Sequence, residues 1–263
     1  FQTISVEQGI FIRGLVSVPL LALIAYFRKS LFIRIDWRNW RVILIRAFAE
    51  LASTMLFLNA LAQMPLANVT AILQSLPLTV TMFAAMFFGE AVGWRRWSAI
   101  LVGFIGVLII IRPGSDGFNE YAVLALIAVG FITLRDAITR RLARSVPSLF
   151  VAFVSAIPVF LFGGAMTVTT GWTPVSWSMC IIVTVAAISI TCGYLFAVMA
   201  MRIGDISFVA PFRYTGMIWA ILFGFLLFGN LPDQMTILGT CIVIGMGVYA
   251  FHRERVRQKA SAT

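Results

Sequence analysis

Two charged side chains lie well inside apolar stretches of the sequence, and they have the clearest capacity for chemistry. Arg213 belongs to the stretch Ile206–Phe228, and Glu50 lies at a matching depth in Val42–Ala62. A charge in such surroundings is costly, so each needs a partner or a ligand. A guanidinium can bind a carboxylate through two parallel hydrogen bonds. We therefore favour a Glu50–Arg213 ion pair over direct contact of Arg213 with the carboxylate of a bound small molecule, although the two arrangements can alternate.

Other charges near these two have more local interpretations. Glu50 is also the candidate for proton coupling, and Arg46, one helical turn earlier, is a competing partner for it. Asp136 precedes Arg140 by four residues, which predicts a helix-surface pair at a membrane interface. Arg13 lies close to the end of an apolar stretch and is predicted to extend its charged end towards the membrane surface.

Uncharged polar and aromatic residues form stripes inside further apolar stretches. Thr70, Gln74 and Pro77 share one helix face, and a proline there frees backbone carbonyls that can meet water or a ligand. Interhelical hydrogen bonding is the alternative for such polar residues. Asn59 faces nearly opposite Glu50, so the two are not expected to line one cavity deeply. The candidate cavity-lining or binding residues are Glu50, Asn59, Thr70, Gln74, Pro77, Thr191, Tyr194, Arg213, Tyr214 and Trp219.

No residues form a catalytic or metal-binding set. The only histidine is His252, and the three cysteines stand singly in apolar stretches. No GxSxG or HExxH motif occurs, and no pair of helix-borne aspartates has catalytic spacing. The sequence therefore predicts no catalytic residue, no metal and no cofactor, and an intramembrane enzyme is a remote alternative.

The composition places these residues in a membrane protein. Hydrophobic residues make up 61% of the 263 residues and charged ones 11%, whereas soluble domains carry about 45–50% and about 25%. This excludes a soluble enzyme or a secreted module. The net charge is +10, but the basic residues cluster between apolar stretches, which predicts a lipid bilayer as partner and no nucleic acid. The sequence carries no signal for an oligomeric state.

Nine apolar stretches meet or approach the length of about 20 residues that crosses a bilayer. Basic loops fall on one side of this nine-span arrangement, which predicts a cytoplasmic C-terminus. An external start, together with Phe1 in place of Met, suggests that one N-terminal helix of a ten-helix parent is missing. The stretches are Gly9–Phe27, Val42–Ala62, Pro65–Gly89, Trp97–Ile111, Tyr121–Ile138, Pro147–Thr169, Ser178–Met201, Ile206–Phe228 and Met235–Phe251.

An internal repeat divides the chain into two halves. The segment 63–112 resembles 203–253, with Phe88-Gly89-Glu90 matching Phe228-Gly229-Asn230. Because five is odd, two halves of five helices have opposite orientations in the membrane, as in secondary transporters. We therefore predict an all-α membrane protein built as an inverted repeat.

The first copy of the repeat resembles the EamA-type half of the drug/metabolite transporter superfamily. The pattern is a helix with a mid-span proline over Ala71–Glu90, then Arg95-Arg96, then a glycine-rich helix over Gly103–Ile111. The second copy departs from it, with Asn230 for the acidic residue and Met217 where the first copy has Pro77. The resemblance implies a ten-helix bundle with EamA-like halves at 1–114, lacking its first helix, and at 115–263.

The resemblance also implies a function. It predicts a secondary transporter in the bacterial inner membrane that takes a small-molecule substrate and exports amino acids, including neutral and aromatic ones, or related metabolites by alternating access. The alternative is uptake or exchange of another charged metabolite, either nucleotide-derived or cationic. A channel is less favoured, because an inverted repeat suits two halves that rock against each other.

Overall fold

The computed structural model describes residues 4–89, 92–113, 119–143, 145–203 and 213–262, and all regular structure within them is helical. This confirms the all-α prediction. The helices are α1 (Val6–Phe27), α2 (Trp37–Gln63), α3 (Leu66–Leu73), α4 (Leu76–Phe88), α5 (Trp94–Ile111), α6 (Tyr121–Thr139), α7 (Ser148–Thr170), α8 (Trp177–Ile203), α9 (Thr215–Phe228) and α10 (Gln234–Ala262).

Eight helical segments in the described residues are long and apolar enough to cross a membrane, with α3 and α4 together forming one of them. The shorter apolar helix α9 corresponds to the eighth predicted stretch, Ile206–Phe228. The first part of that stretch, residues 206–212, lies outside the described residues. The predicted apolar stretches therefore correspond to the helices of the structure.

The chain forms two compact units, each assembled from separate parts of the sequence. The first unit comprises Phe1–Thr54 and Ile138–Gly204, and the second comprises Met55–Ala137 and Asp205–Thr263. Each unit has its own buried apolar cluster, around Ile43 in the first and around Val107 in the second. These spatial units draw on both sequence repeats, so a boundary after residue 114 stays a prediction about the repeats.

In the first unit, α1 packs mainly against α7 and also against α8. Small residues allow the close approach, since a Cβ on Gly14 would lie 2.5 Å from the Phe160 ring and one on Gly163 would lie 2.8 Å from the Ile10 side chain. The start of α1 is held by buried Gln8, whose amide donates to the Thr173 carbonyl at 2.7 Å and accepts from the Thr173 N–H at 3.1 Å. These contacts fix the face that α1 turns towards α7 and α8.

In the second unit, the equivalent helices of the two repeats, α5 and α10, pack against each other in antiparallel fashion. Gly103 faces Met246, and Gly106 faces Gly239. At the end of the pair, the Arg112 guanidinium forms an ion pair with Asp233. Equivalent helices that run in opposite directions are what an inverted repeat requires, and this confirms that prediction.

Asp233 directly precedes α10, and contacts at the start of this helix stabilise the ionised form of its carboxylate. Its carboxylate accepts a hydrogen bond from the Thr236 N–H at 2.7 Å. Partial burial acts to raise the pKa of Asp233, but the hydrogen bonds from Thr236 and the nearby Arg112 guanidinium outweigh it, and the pKa lies below its ordinary value. The carboxylate is therefore ionised at neutral pH and holds both helix ends together.

The predicted proline-containing stretch is broken into two helices. α3 ends at Leu73, and α4 starts at Leu76 with Pro77 in its first turn, where the absent N–H costs nothing. Ser75 stabilises the break by donating both its N–H and its hydroxyl to the Ile72 carbonyl, at 3.1 and 2.7 Å. The break lies at the proline, within a stretch that the sequence predicts as a single span.

The equivalent helices α4 and α9 of the two repeats also end in the same way. Gly89 ends α4 and Gly229 ends α9, and both glycines adopt φ of 67°. This left-handed conformation is unfavourable for residues with a Cβ, which explains why both copies have glycine after phenylalanine.

Replacing Gly239 with alanine is expected to destabilise the second unit. A Cβ there would lie 2.5 Å from the Gly106 carbonyl oxygen and 2.6 Å from the Ile110 side chain, so α5 and α10 would have to separate. We expect the free energy of unfolding to fall by about 1–3 kcal/mol, measured by unfolding in detergent. The matched control is Gly245→Ala on the same helix, where no described group from outside the adjacent turns of the helix lies within 4 Å and alanine should be neutral or favourable. Equal stability of the two variants would contradict this packing.

Candidate functional site

The first unit contains a buried network centred on Arg46, whose side chain is 2% exposed. Its Nε donates to the Thr139 hydroxyl at 2.9 Å, and its Nη1 donates to the Ser155 hydroxyl at 2.7 Å. Nη1 also donates to the Tyr194 hydroxyl at 2.8 Å. These three hydrogen bonds, which Arg46 donates to hydroxyls on α6, α7 and α8, fix the guanidinium and offset part of the cost of burying its charge.

Glu50 joins the same network through one of its carboxylate oxygens. The Tyr194 hydroxyl donates to Glu50 Oε2 at 3.0 Å, and Arg46 Nη1 lies 3.5 Å from that oxygen. The prediction that Arg46 competes for Glu50 is therefore confirmed. Tyr194 accepts from the cation and donates to the anion, so two hydrogen bonds to α2 fix the position of its hydroxyl.

A cavity of about 100 Å³ opens beside this network, within the first unit. Its charged lining groups are Arg13 from α1 and Glu50 from α2, with Tyr194 on α8. The prediction that Arg13 extends to the membrane surface is wrong, because its helix turns the side chain inward, where Glu50 and Tyr194 attract it electrostatically. The remaining lining residues are Ile10, Gly14, Ser17, Val18, Leu21, Thr54, Ala156, Val159, Phe160, Ile190 and Thr191.

The polar side chains on the cavity wall differ in whether they already have hydrogen-bond partners. The Thr191 hydroxyl lies 2.8 Å from the Ser17 hydroxyl and 2.7 Å from the Ala187 carbonyl. The Arg13 guanidinium makes no hydrogen bond to any residue in the described part of the chain, although Glu50 attracts it. A guanidinium with several donors facing a cavity is suited to binding an anion.

The second unit contains a different charged cluster, which corrects two predictions. Arg213 Nη2 lies 2.7 Å from Asp136 Oδ2, and Arg135 Nε lies 3.0 Å from Asp136 Oδ1. The acidic partner that the structure describes for Arg213 is therefore Asp136, where the sequence suggests Glu50. Asp136 is 4% exposed, so it is a buried ion-pair partner and not an interfacial residue paired with Arg140.

Gln74 connects the broken α3–α4 segment to the start of α9. In the orientation that satisfies both neighbours, its amide donates to the Arg213 carbonyl at 3.3 Å and accepts from the Met217 N–H at 2.9 Å. The Met217 N–H, which also lies 3.1 Å from the Tyr214 carbonyl oxygen, belongs to the first turn of α9, where N–H groups lack regular helical partners. This contact corresponds to the interhelical alternative for Gln74.

The other candidate residues of the second unit occupy varied positions. Pro77 is buried, and Thr70 is half-buried. Asn59 is exposed, and its side-chain amide donates a hydrogen bond to the Met55 carbonyl at 2.8 Å. The hydroxyl of buried Tyr214 lies against Gly247. Trp219 is 55% exposed and stacks on Phe223 at 5.8 Å between ring centroids. The cavity of the first unit thus contains Glu50, Thr191 and Tyr194 from the candidate set.

Sequence reasoning missed several members of the two clusters. Ser155 and Thr139 carry weak signals, since single hydroxyl residues are common in membrane helices. Arg13 carries the signal of a charge in an apolar stretch, but its nearness to the predicted membrane edge pointed to the surface. Helix depth alone does not give the direction in which a side chain points.

Comparison with known proteins gives a family and several relatives. The model of the EamA-like transporter family matches residues 1–112 and 120–250. The chain is 26% identical over 192 residues to the S-adenosylmethionine uptake transporter of Rickettsia conorii, covering 73% of this chain and 65% of that protein. It is 27% identical over 234 residues to the riboflavin transporter of Vibrio cholerae, covering 87% and 77%. It is 22% identical over 248 residues to the pseudopaline exporter of Pseudomonas aeruginosa, covering 92% and 84%.

The chain spans less than two thirds of the length of the first of these relatives. A solved crystal structure is also similar, with a TM-score of 0.67 and 16% identity, covering 95% of this chain and 89% of that one. At this identity the structural similarity supports the fold.

Removing the Asp136 carboxylate is expected to destabilise the second unit. The variant Asp136→Ala leaves the Arg135 and Arg213 guanidinium groups together without the carboxylate that both contact. We expect the free energy of unfolding in detergent to fall by about 3 kcal/mol, the lower end for a broken buried pair, because Arg213 is partly exposed. The control is Glu120→Ala, which removes an exposed carboxylate just before the same helix. An Asp136→Ala protein as stable as this control would show that the cluster contributes nothing.

Proposed function

The chain belongs to the EamA-like transporter family, and from this premise we propose that it is a secondary active transporter that exports amino acids or related small metabolites by alternating access. Membership confirms the resemblance seen in the sequence. The named relatives are transporters, in agreement with the prediction that the chain is not an enzyme.

The observation that carries the substrate proposal is the mixed character of the first-unit cavity. Arg13 and Glu50 present charges, while Val18, Val159 and Phe160 present apolar surface in the same space. Charged groups in membrane helices are rare and mark substrate or ion pathways. A cavity with both kinds of wall suits a small molecule with a charged head and an apolar side chain, as in neutral and aromatic amino acids.

Uptake or exchange of a nucleotide-derived or cationic metabolite is the second candidate. It is favoured by the names of two relatives, which describe S-adenosylmethionine uptake and riboflavin transport. The exporter named for pseudopaline supports the outward direction instead. In our proposal Glu50, Thr191 and Tyr194 contact the substrate in either case, and the Arg46 network holds Glu50 and Tyr194 in place.

We also propose a location and an orientation. The multi-pass chain lies in a bacterial inner membrane with its C-terminus in the cytoplasm. The support is that basic loops fall on one side of the span arrangement, since short cytoplasmic loops carry an excess of Lys and Arg.

Counterflow in proteoliposomes tests the transporter and its substrate class together. With the purified protein and labelled neutral and aromatic amino acids, we expect saturable uptake driven by the same unlabelled amino acid inside. Glu50→Gln should lower the initial rate about tenfold, the effect of losing one charge-assisted hydrogen bond. The control Glu120→Gln alters an exposed carboxylate and should match the wild type.

The panel also contains S-adenosylmethionine and a simple organic cation. Counterflow of one of these, without any amino-acid counterflow, would replace the proposed substrate with the second candidate. An absence of counterflow for the whole panel would contradict both substrate classes.

A further inference from the structure

We propose that Arg13 and Glu50 form a paired-charge subsite that recognises a zwitterionic head group, with Arg13 binding the carboxylate and Glu50 binding the ammonium group of one small molecule. This inference rests on the proposed function and names the chemistry by which the site selects its substrate. It requires that both charges face one space, that other charges be kept out of that space, and that the space fit a head group.

The first requirement is met by α1 and α2, which direct opposite charges into one cavity. Arg13 and Glu50 both line it, and they attract each other electrostatically. The position of Arg13 is set by the close packing of α1 against α7, where a Cβ on Gly14 would collide with Phe160. Arg13 makes no hydrogen bond to another described residue, so its donors are available to a bound carboxylate.

The second requirement concerns Arg46, the nearest other cation. It does not line the cavity, and its guanidinium donates to the hydroxyls of Thr139, Ser155 and Tyr194. It also lies 3.5 Å from the Glu50 carboxylate, which it holds at the cavity wall. The charges that face the cavity are therefore one cation and one anion. A ligand that brings one charge of each sign places an opposite charge beside each of these two wall groups, whereas a simple anion or cation would do so for only one of them.

The third requirement is size. The cavity has a volume of about 100 Å³, well above the ~10–15 Å³ that one water molecule needs, so it admits a polar group of several atoms. The Tyr194 and Arg46 contacts hold the Glu50 carboxylate at the wall, so an ammonium group would meet a fixed acceptor. The apolar residues Val159 and Phe160 then adjoin the side chain of the ligand.

Binding of leucine and two of its derivatives to the purified protein tests whether Arg13 binds the carboxylate and Glu50 binds the ammonium group. The probes are L-leucine, leucinamide, which lacks the carboxylate, and N-acetylleucine, which lacks the ammonium group. The wild type should bind leucine at least about tenfold more tightly than either derivative. Arg13→Gln should lose the preference over leucinamide but keep the preference over N-acetylleucine, and Glu50→Gln should show the opposite pattern.

Three controls separate recognition from folding. Arg38→Gln and Glu120→Gln change exposed charges of the same types and should keep both preferences. Arg13→Lys retains the cation and should restore part of the preference over leucinamide, which a purely structural role for Arg13 would not do. Size-exclusion profiles and unfolding in detergent show whether each variant is folded.

The outcomes distinguish this inference from the proposed function. If leucine counterflow persists in the wild type but both variants weaken all three probes equally, the paired-charge subsite is wrong and the transporter stands. If the wild type shows counterflow only for compounds that lack one of the two charges, both the subsite and the amino-acid proposal are overturned. Opposite losses of preference in the two variants, with leucine counterflow in the wild type, would support both.

Discussion

The cost of placing a guanidinium among membrane-spanning helices governs the first unit of this protein. Arg46 is almost completely buried, and its charge is tolerated because hydroxyl groups from three other helices accept its hydrogen bonds. The same contacts decide where Tyr194 and Glu50 lie, because Tyr194 accepts from Arg46 and donates to Glu50. The side chains that face the cavity are therefore held by a group that does not face it. Such support is what keeps a binding site in one geometry.

In the second unit, the charge of Arg213 is stabilised by an ion pair, and the adjacent helix start is contacted by a residue at the break between α3 and α4. Asp136 neutralises Arg213 at the start of α9, and Gln74 at the break between α3 and α4 binds the backbone on either side of that start. These contacts give a physical reason for one difference between the two repeats. Met217 stands where the first copy has Pro77, and a proline would lack the N–H that donates to Gln74. Gln74, at the break in one repeat, thus contacts a helix start in the other repeat that has kept its N–H.

The sequence predicted the elements of this fold well and the partners of its charges less well. Apolar stretches and the inverted repeat follow from composition and spacing, which are local or periodic signals. The Arg46–Glu50 contact was also accessible, because residues four apart share a helix face. Asp136 and Arg213 were not matched, since ion pairs between helices depend on helix rotation and on which helices are neighbours. Helix depth, the quantity that the sequence supplies, leaves that rotation open.

Charge balance links the fold to the proposed transport cycle. A carrier must expose its site alternately on two sides of the membrane, with substrate and without it, and an isolated charge in a low-dielectric interior carries a large desolvation cost. In the proposed site, Arg13 and Glu50 attract each other, and Arg46 lies 3.5 Å from Glu50 without lining the cavity. A zwitterion inserts a carboxylate beside the first and an ammonium group beside the second, so the total charge is the same in both states. A ligand with a single charge would change that total between the two halves of the cycle and would meet an opposite charge at only one of the two wall groups, which is a physical basis for selecting amino acids by their head group.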